Sequence, residues 1–141
     1  MIKLLDKQDY RAAFNLSKRV EPYPEHCHYD QFCALLDSRK GFTVWDKMGN
    51  LVSLLSYSDF TPGSMVMIHF MQEPGALTRD VVRTAFGYPF RVLHVPRLVS
   101  YCVPGITDKA GEFLKRLGFR LEGVFKEAAR LPDGPKDGFC R

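Results

Sequence analysis

The chain has no apolar run approaching the roughly 18 to 20 residues that a membrane-spanning helix needs. It also lacks any block of five or six basic residues, so an arm that grips nucleic acid is not expected. Twenty Lys and Arg against sixteen Asp and Glu leave a net charge of +4, a mild excess that suits an anionic small ligand such as a nucleotide. Internal repeats and low-complexity tracts are absent, and 45% hydrophobic with 26% charged residues excludes disorder, collagen and coiled coil. Cysteine is scarce: Cys27, Cys33, Cys102 and Cys140 stand at irregular spacings that match no disulfide framework. The first ten residues reach Asp6 without the apolar segment of an export signal, so free thiols and a cytoplasmic location are expected.

What remains is an ordinary globular composition over 141 residues, enough for a single domain spanning 1–141. Ile2-Lys3-Leu4-Leu5 reads as an opening strand, and Asp6 as the cap of a helix with Tyr10, Ala13, Phe14, Leu16 and Ser17 inward. Glu21-Pro22-Tyr23-Pro24 breaks that helix, and a second is expected from about Tyr29 to Asp37. The stretches 41–46 and 51–57 flank Lys47-Met48-Gly49-Asn50 and predict a β-hairpin. Met65 to Phe70 is nearly continuous in apolar residues, as in a strand buried on both faces. Pro74-Gly75 ends it and opens a helix from about Ala76 to Phe86. A strand over Arg97–Val103, a helix over Lys109–Leu117 closed by Gly118, a strand over Phe119–Val124 and a short strand at Phe139-Cys140 complete the pattern. The expected fold class is α/β: a single mixed, mostly antiparallel sheet with helices on both faces.

His26-Cys27-His28 with Cys33 invites a zinc reading, but neighbouring side chains seldom converge on one tetrahedral ion and no two-residue spacing is present. No metal site is expected.

The order of elements resembles that of the Gcn5-related N-acetyltransferases (GNAT). The stretch from Tyr88-Pro89-Phe90 through Arg97–Val103, Asp108–Phe119 and Arg120–Ala128 is similar to their fifth strand, fourth helix and sixth strand. Leu117-Gly118-Phe119 followed by Glu122-Gly123 resembles in particular the branch that acetylates ribosomal-protein N-termini, and small acetyltransferase-like proteins of tailed phages. The resemblance implies acetyl-CoA as co-substrate, held along Phe70 and Met71 with its pyrophosphate on the amides of Gln72, Gly75, Ala76 and Leu77, and Arg79 and Arg83 within reach of the adenosine phosphate. Of the family's pattern, Gln72 and Gly75 match, while Leu77 replaces a small residue, Pro74 removes a donor and Glu73 adds a negative charge. Leu114 stands where many members carry a tyrosine that protonates the departing thiolate.

Within that frame His69, on the central strand, is the catalytic candidate as general base, the alternative being a hydrogen-bonded core residue. Tyr57 and Asp59 lie beside the expected acceptor cleft, with packing and turn-capping as their plainer roles. The backbone amide near Met71 is the candidate oxyanion donor. Glu25, His26 and His28 fall where the acceptor is covered. Cys102, among Val99, Tyr101 and Val103, is expected to be inert, so acetyl transfer is direct. Two functions stay open: an N-acetyltransferase acting on an amine of a small molecule or peptide, or a GNAT-fold binding or structural module. The second would be virion-associated if phage-encoded, and either allows a homo-oligomer or an assembly partner.

Overall fold

The computed structural model describes residues 1–20, 28–102, 108–131 and 134–140, with the backbone alone over 102, 108–110, 124–131 and 134–140. They form two compact units, Met1–Leu98 and Val99–Arg141.

The first unit opens with β1 (Ile2–Leu4). Asp6 then caps a 3-10 turn, Lys7–Asp9, reciprocally: its carboxylate accepts from the Gln8 amide, while Asp9 accepts from the Asp6 amide at 3.2 Å. That turn feeds α1 (Tyr10–Val20), and α2 (Tyr29–Asp37) matches its expected span. β2 (Lys40–Trp45) and β3 (Leu51–Thr61) make the expected hairpin. It closes because Gly49 takes φ +82° and the Asp46 carboxylate accepts from the Met48 and Asn50 amides, each at 2.9 Å. β4 (Met65–Gln72), α3 (Arg79–Gly87) and β5 (Arg97–Val99) follow.

The sheet runs β1-β2-β3-β4-β5, and its first three pairings are antiparallel. β4 has a strand on each side, but only Val66 and Ile68 in it are buried, both on one face, so the burial on both faces expected from its apolar run is not met. α1 and α2 cover one face with a core of Tyr10, Ala13, Phe14, Leu16, Phe32, Leu36, Leu51 and Leu54. Leu51 and Leu54 are three apart yet share that core, because the ladder slips between Val44 and Trp45 and leaves Val52 as an extra residue. Tyr57, again three residues on, points to the opposite face. There its ring meets Phe42 and Tyr88, and its hydroxyl donates to the Ala85 carbonyl of α3 at 2.8 Å. Helices thus lie on both faces, as the class requires.

The second unit holds α4 (Asp108–Arg116) and a three-stranded sheet. Its strands are β6 (Tyr101–Cys102), β7 (Gly123–Leu131) and β8 (Gly134–Cys140), in the order β6-β8-β7 and antiparallel throughout. Gly118 ends α4 in the left-handed region at φ +98°, as expected.

Several boundaries differ from expectation. The strand expected over Arg97–Val103 divides at Ser100 between the two sheets, with Val103 outside the described residues. The strand expected from Phe119 begins only at Gly123. β8 reaches back to Gly134 because the hairpin pairing of Leu131 with Gly134 and Arg130 with Pro135 overrides the weak strand propensity of Gly and Pro. Glu21–Pro24, Glu25, His26 and Cys27 lie outside the described residues. Cys33 is free and half-buried.

Candidate active site

The junction between β4 and α3 differs from the expected strand-to-helix turn. Pro74 and Gly75 do not open the helix. They form the middle of a tight turn in which the Ala76 amide donates to the Glu73 carbonyl at 3.1 Å and Gly75 takes φ +81°. A proline followed by a left-handed glycine is the usual chemistry of a type II turn. The helix starts three residues later at Arg79, after Thr78, whose hydroxyl accepts from the Val81 amide at 3.3 Å.

Of the residues assigned to the cofactor, Phe70, Met71 and Gln72 end β4, Gly75 and Ala76 lie in the turn, Leu77 precedes the cap and Arg79 is exposed in the first helical turn. With Ala76 spent on its turn and Pro74 lacking an N–H, the amides of Gly75, Leu77 and Thr78 make no intrachain bond among the described residues. A Cβ built on Gly75 would meet nothing within 4 Å, so that side of the loop is open. Gln72 Oε1 is buried without a partner, as is Ser53 Oγ on the residue directly opposite it. Buried polar atoms are normally paired. An acyl-CoA fits here: amides for its pyrophosphate, an open approach at Gly75, and a buried acceptor for one of its amide N–H groups.

Arg19, near the end of α1, answers the charge that Glu73 brings to this loop. Its Nε lies 2.7 Å from Glu73 Oε1, and its Nη2 donates to the Leu51 carbonyl at 3.1 Å. Nothing in the spacing of the sequence announces a pair 54 residues apart.

The second group sits on the α1–α2 face of the sheet, beyond its apolar core. His69 stands directly across from Ser56, and its Nε2 lies 2.6 Å from the hydroxyl of Ser58. That hydroxyl donates in turn to Asp59 Oδ2 at 2.9 Å. Because Ser58 spends its single proton on Asp59, it accepts from the Nε2–H of a neutral imidazole, leaving Nδ1 as a lone pair. Burial first, then the Arg39 guanidinium, push the His69 pKa down to about 4, with Asp59 opposing. Asp59 occupies the left-handed region at φ +55°, in a bulge where it and Phe60 interrupt the β3–β4 register. Arg39 reaches the group from the α2–β2 connection and donates from Nη1 to Ser56 at 3.3 Å. Its Nε is buried and unpartnered.

Ser56, Ser58 and Arg39 were not candidates on sequence. The available signal was two serines at period two, Ser56 and Ser58, in β3. Tyr57 is a packing residue, and burial raises its pKa well above the ordinary phenol value. His28 precedes α2, its amide donating to Gln31 Oε1 at 3.3 Å. Arg83 lies 3.6 Å from Asp80 and lines an exposed hollow of about 340 Å³ with Phe86, Phe90 and Arg91. Leu114 is buried. No helix among the described residues is long and apolar enough to cross a membrane.

No protein-family model matches the sequence, and no curated protein matches it. Solved structures do. A single-residue variant of spermidine N-acetyltransferase from Vibrio cholerae superposes with a TM-score of 0.78 at 18% identity, over 99% of this chain and 92% of that one. The spermidine/spermine N-acetyltransferase of the same organism, in complex with manganese ions, gives 0.74 at 19% identity over 99% and 89%. A dodecameric spermidine N-acetyltransferase, also from Vibrio cholerae, gives 0.76 at 17% over 99% and 90%. The fold is therefore that of the GNAT-type acyl-CoA N-acyltransferases.

Proposed function

We propose that this chain is an acetyl-CoA-dependent N-acetyltransferase of the GNAT superfamily, a single functional domain that transfers acetyl to an amine of a small molecule or peptide. The observation that carries this reading is the β4–α3 junction. It combines three unengaged amides, an open glycine and a buried, unpartnered Gln72 oxygen in one loop. Likeness of fold to amine acetyltransferases supports it. One of those proteins is a dodecamer, which makes an assembly of copies consistent with the reading.

Bound acetyl-CoA supplies a thioester: the amine nitrogen forms a bond to the acetyl carbon as the carbon–sulfur bond breaks, and coenzyme A leaves as a thiolate that takes its proton from solvent while the amine proton passes through His69 to solvent. The amides of Gly75, Leu77 and Thr78 hold the pyrophosphate, aided by the positive end of α3. Gln72 accepts from the pantetheine arm. His69 takes the amine proton at Nδ1, while Ser58 and Asp59 hold Nε2–H and stabilise the imidazolium that forms. A ligand at about a hundred times its dissociation constant adds roughly 2.7 kcal/mol, a melting shift of several degrees for a domain of this size. Acetyl-CoA is expected to produce such a shift in the native protein, and Gly75→Val to weaken calorimetric affinity more than about tenfold by obstructing the phosphate approach. No shift in the native protein overturns the reading.

A further inference from the structure

We infer that Arg39 is an anion anchor for the acceptor, so that the amine acetylated by this chain carries a carboxylate. The inference rests on the acetyltransferase reading and adds the chemical class of its second substrate.

Arg39 is half-buried on the α1–α2 face, held at its backbone by a 3.0 Å bond from its amide to the Leu36 carbonyl. Among the described residues its guanidinium has one hydrogen-bond partner, the Ser56 hydroxyl, and its Nε–H has none. Among the described residues no carboxylate lies within ion-pair distance of it. Asp59 attracts it from farther away but has committed an oxygen to Ser58. Withdrawing a cation from water against a lone hydroxyl is unfavourable unless a counter-charge arrives. A planar fork with unused donors suits a carboxylate in particular.

The same Ser56 that accepts from Arg39 stands directly across the ladder from His69. A molecule whose carboxylate meets Arg39 therefore brings its amine into the group that includes His69 Nδ1. Neutralising Arg39 also removes the second of the two causes, after burial, that lower the His69 pKa. A polyamine carries the opposite charge and is repelled at this position.

The test uses matched probes with and without the anion. Glycine and glycinamide vary the α-carboxylate; a tripeptide beginning with aspartate and its asparagine counterpart vary a side-chain carboxylate. Spermidine is the polycationic control. Each is titrated by calorimetry into the free and the acetyl-CoA-loaded protein, and turnover is measured alongside. At least one acid is expected to bind more than tenfold tighter than its amide and than spermidine, and which pair responds identifies the source of the carboxylate. Arg39→Gln is expected to erase that preference while leaving acetyl-CoA affinity unchanged, and Arg39→Lys to retain part of it. If Arg39→Gln fails to fold, Arg39→Lys alone decides: undiminished preference in that variant counts against the fork. Equal binding of acid and amide, no binding of either acid, or preference for spermidine overturns the proposal. Failure of acetyl-CoA to bind, with acid binding still dependent on Arg39, overturns the enzymatic reading and leaves the anion site standing.

Discussion

Ser56 and Tyr57 are neighbours on β3 that face opposite sides of the sheet, and their polar groups meet different surroundings. On the α3 side, the Tyr57 hydroxyl is buried and paired with the Ala85 carbonyl, and its ring is packed by Phe42 and Tyr88. On the α1–α2 side, Ser56 belongs to a group that includes an unpartnered guanidinium nitrogen and an imidazole held well below its ordinary pKa. A satisfied polar group stabilises one arrangement of the chain. An unsatisfied one costs stability and persists where something else is to be bound.

Four substitutions sharpen or break that contrast. The largest expected effect is on the apolar part of the α1–α2 face: Leu54, 1% exposed, when replaced by Ala should lose about 3 kcal/mol in urea unfolding. A loss below 1 kcal/mol would mean that this core is not packed as described.

Next comes pH. The folded pKa of His69, near 4, lies below the unfolded value near 6.5, so the unfolded chain binds the proton first. Stability from this residue is complete above pH 6.5 and is lost as pH falls toward 4, by about 3 kcal/mol at most. His69→Gln should flatten the stability profile over that window, and an unchanged slope would show that the imidazole is not depressed.

Tyr57→Phe leaves the Ala85 carbonyl without its donor and should cost about 1 to 2 kcal/mol, with acetyl-CoA affinity untouched. A change in affinity would blur the distinction between the faces. Smallest of all, Arg39→Met should move stability by less than about 1 kcal/mol, because the desolvated charge it removes has no ionic partner among the described residues. A large loss would make Arg39 a structural residue, as Tyr57 is.

Much of this architecture is legible in the amino-acid sequence. The β2–β3 hairpin was readable because the Asp46–Asn50 turn is specified by its own residues, and α2 because its apolar positions keep the helical period. The start of α3 was misread because Pro74-Gly75 serves a helix first turn and a tight turn equally well. Thr78 with Asp80 inside the first turn was the better signal. β8 was seen only at its end, since Gly134-Pro135 becomes strand through its partner rather than through its own preference. His69 was found by type and place. Arg19 and Arg39 were not, because partners 54 and 17 residues away leave no local periodicity. The charge balance of the site emerges only when the chain folds back on itself.

The left-handed Asp59 has a consequence for anyone evolving this protein in the laboratory. At φ +55° a glycine would relieve the backbone, and loss of the carboxylate would release Ser58 and with it the tautomer of His69. A library screened for heat resistance should therefore drift to glycine at this position, whereas one screened for acetyl transfer should keep aspartate. The two enrichments, read side by side from one pool of variants, would show what position 59 is retained for.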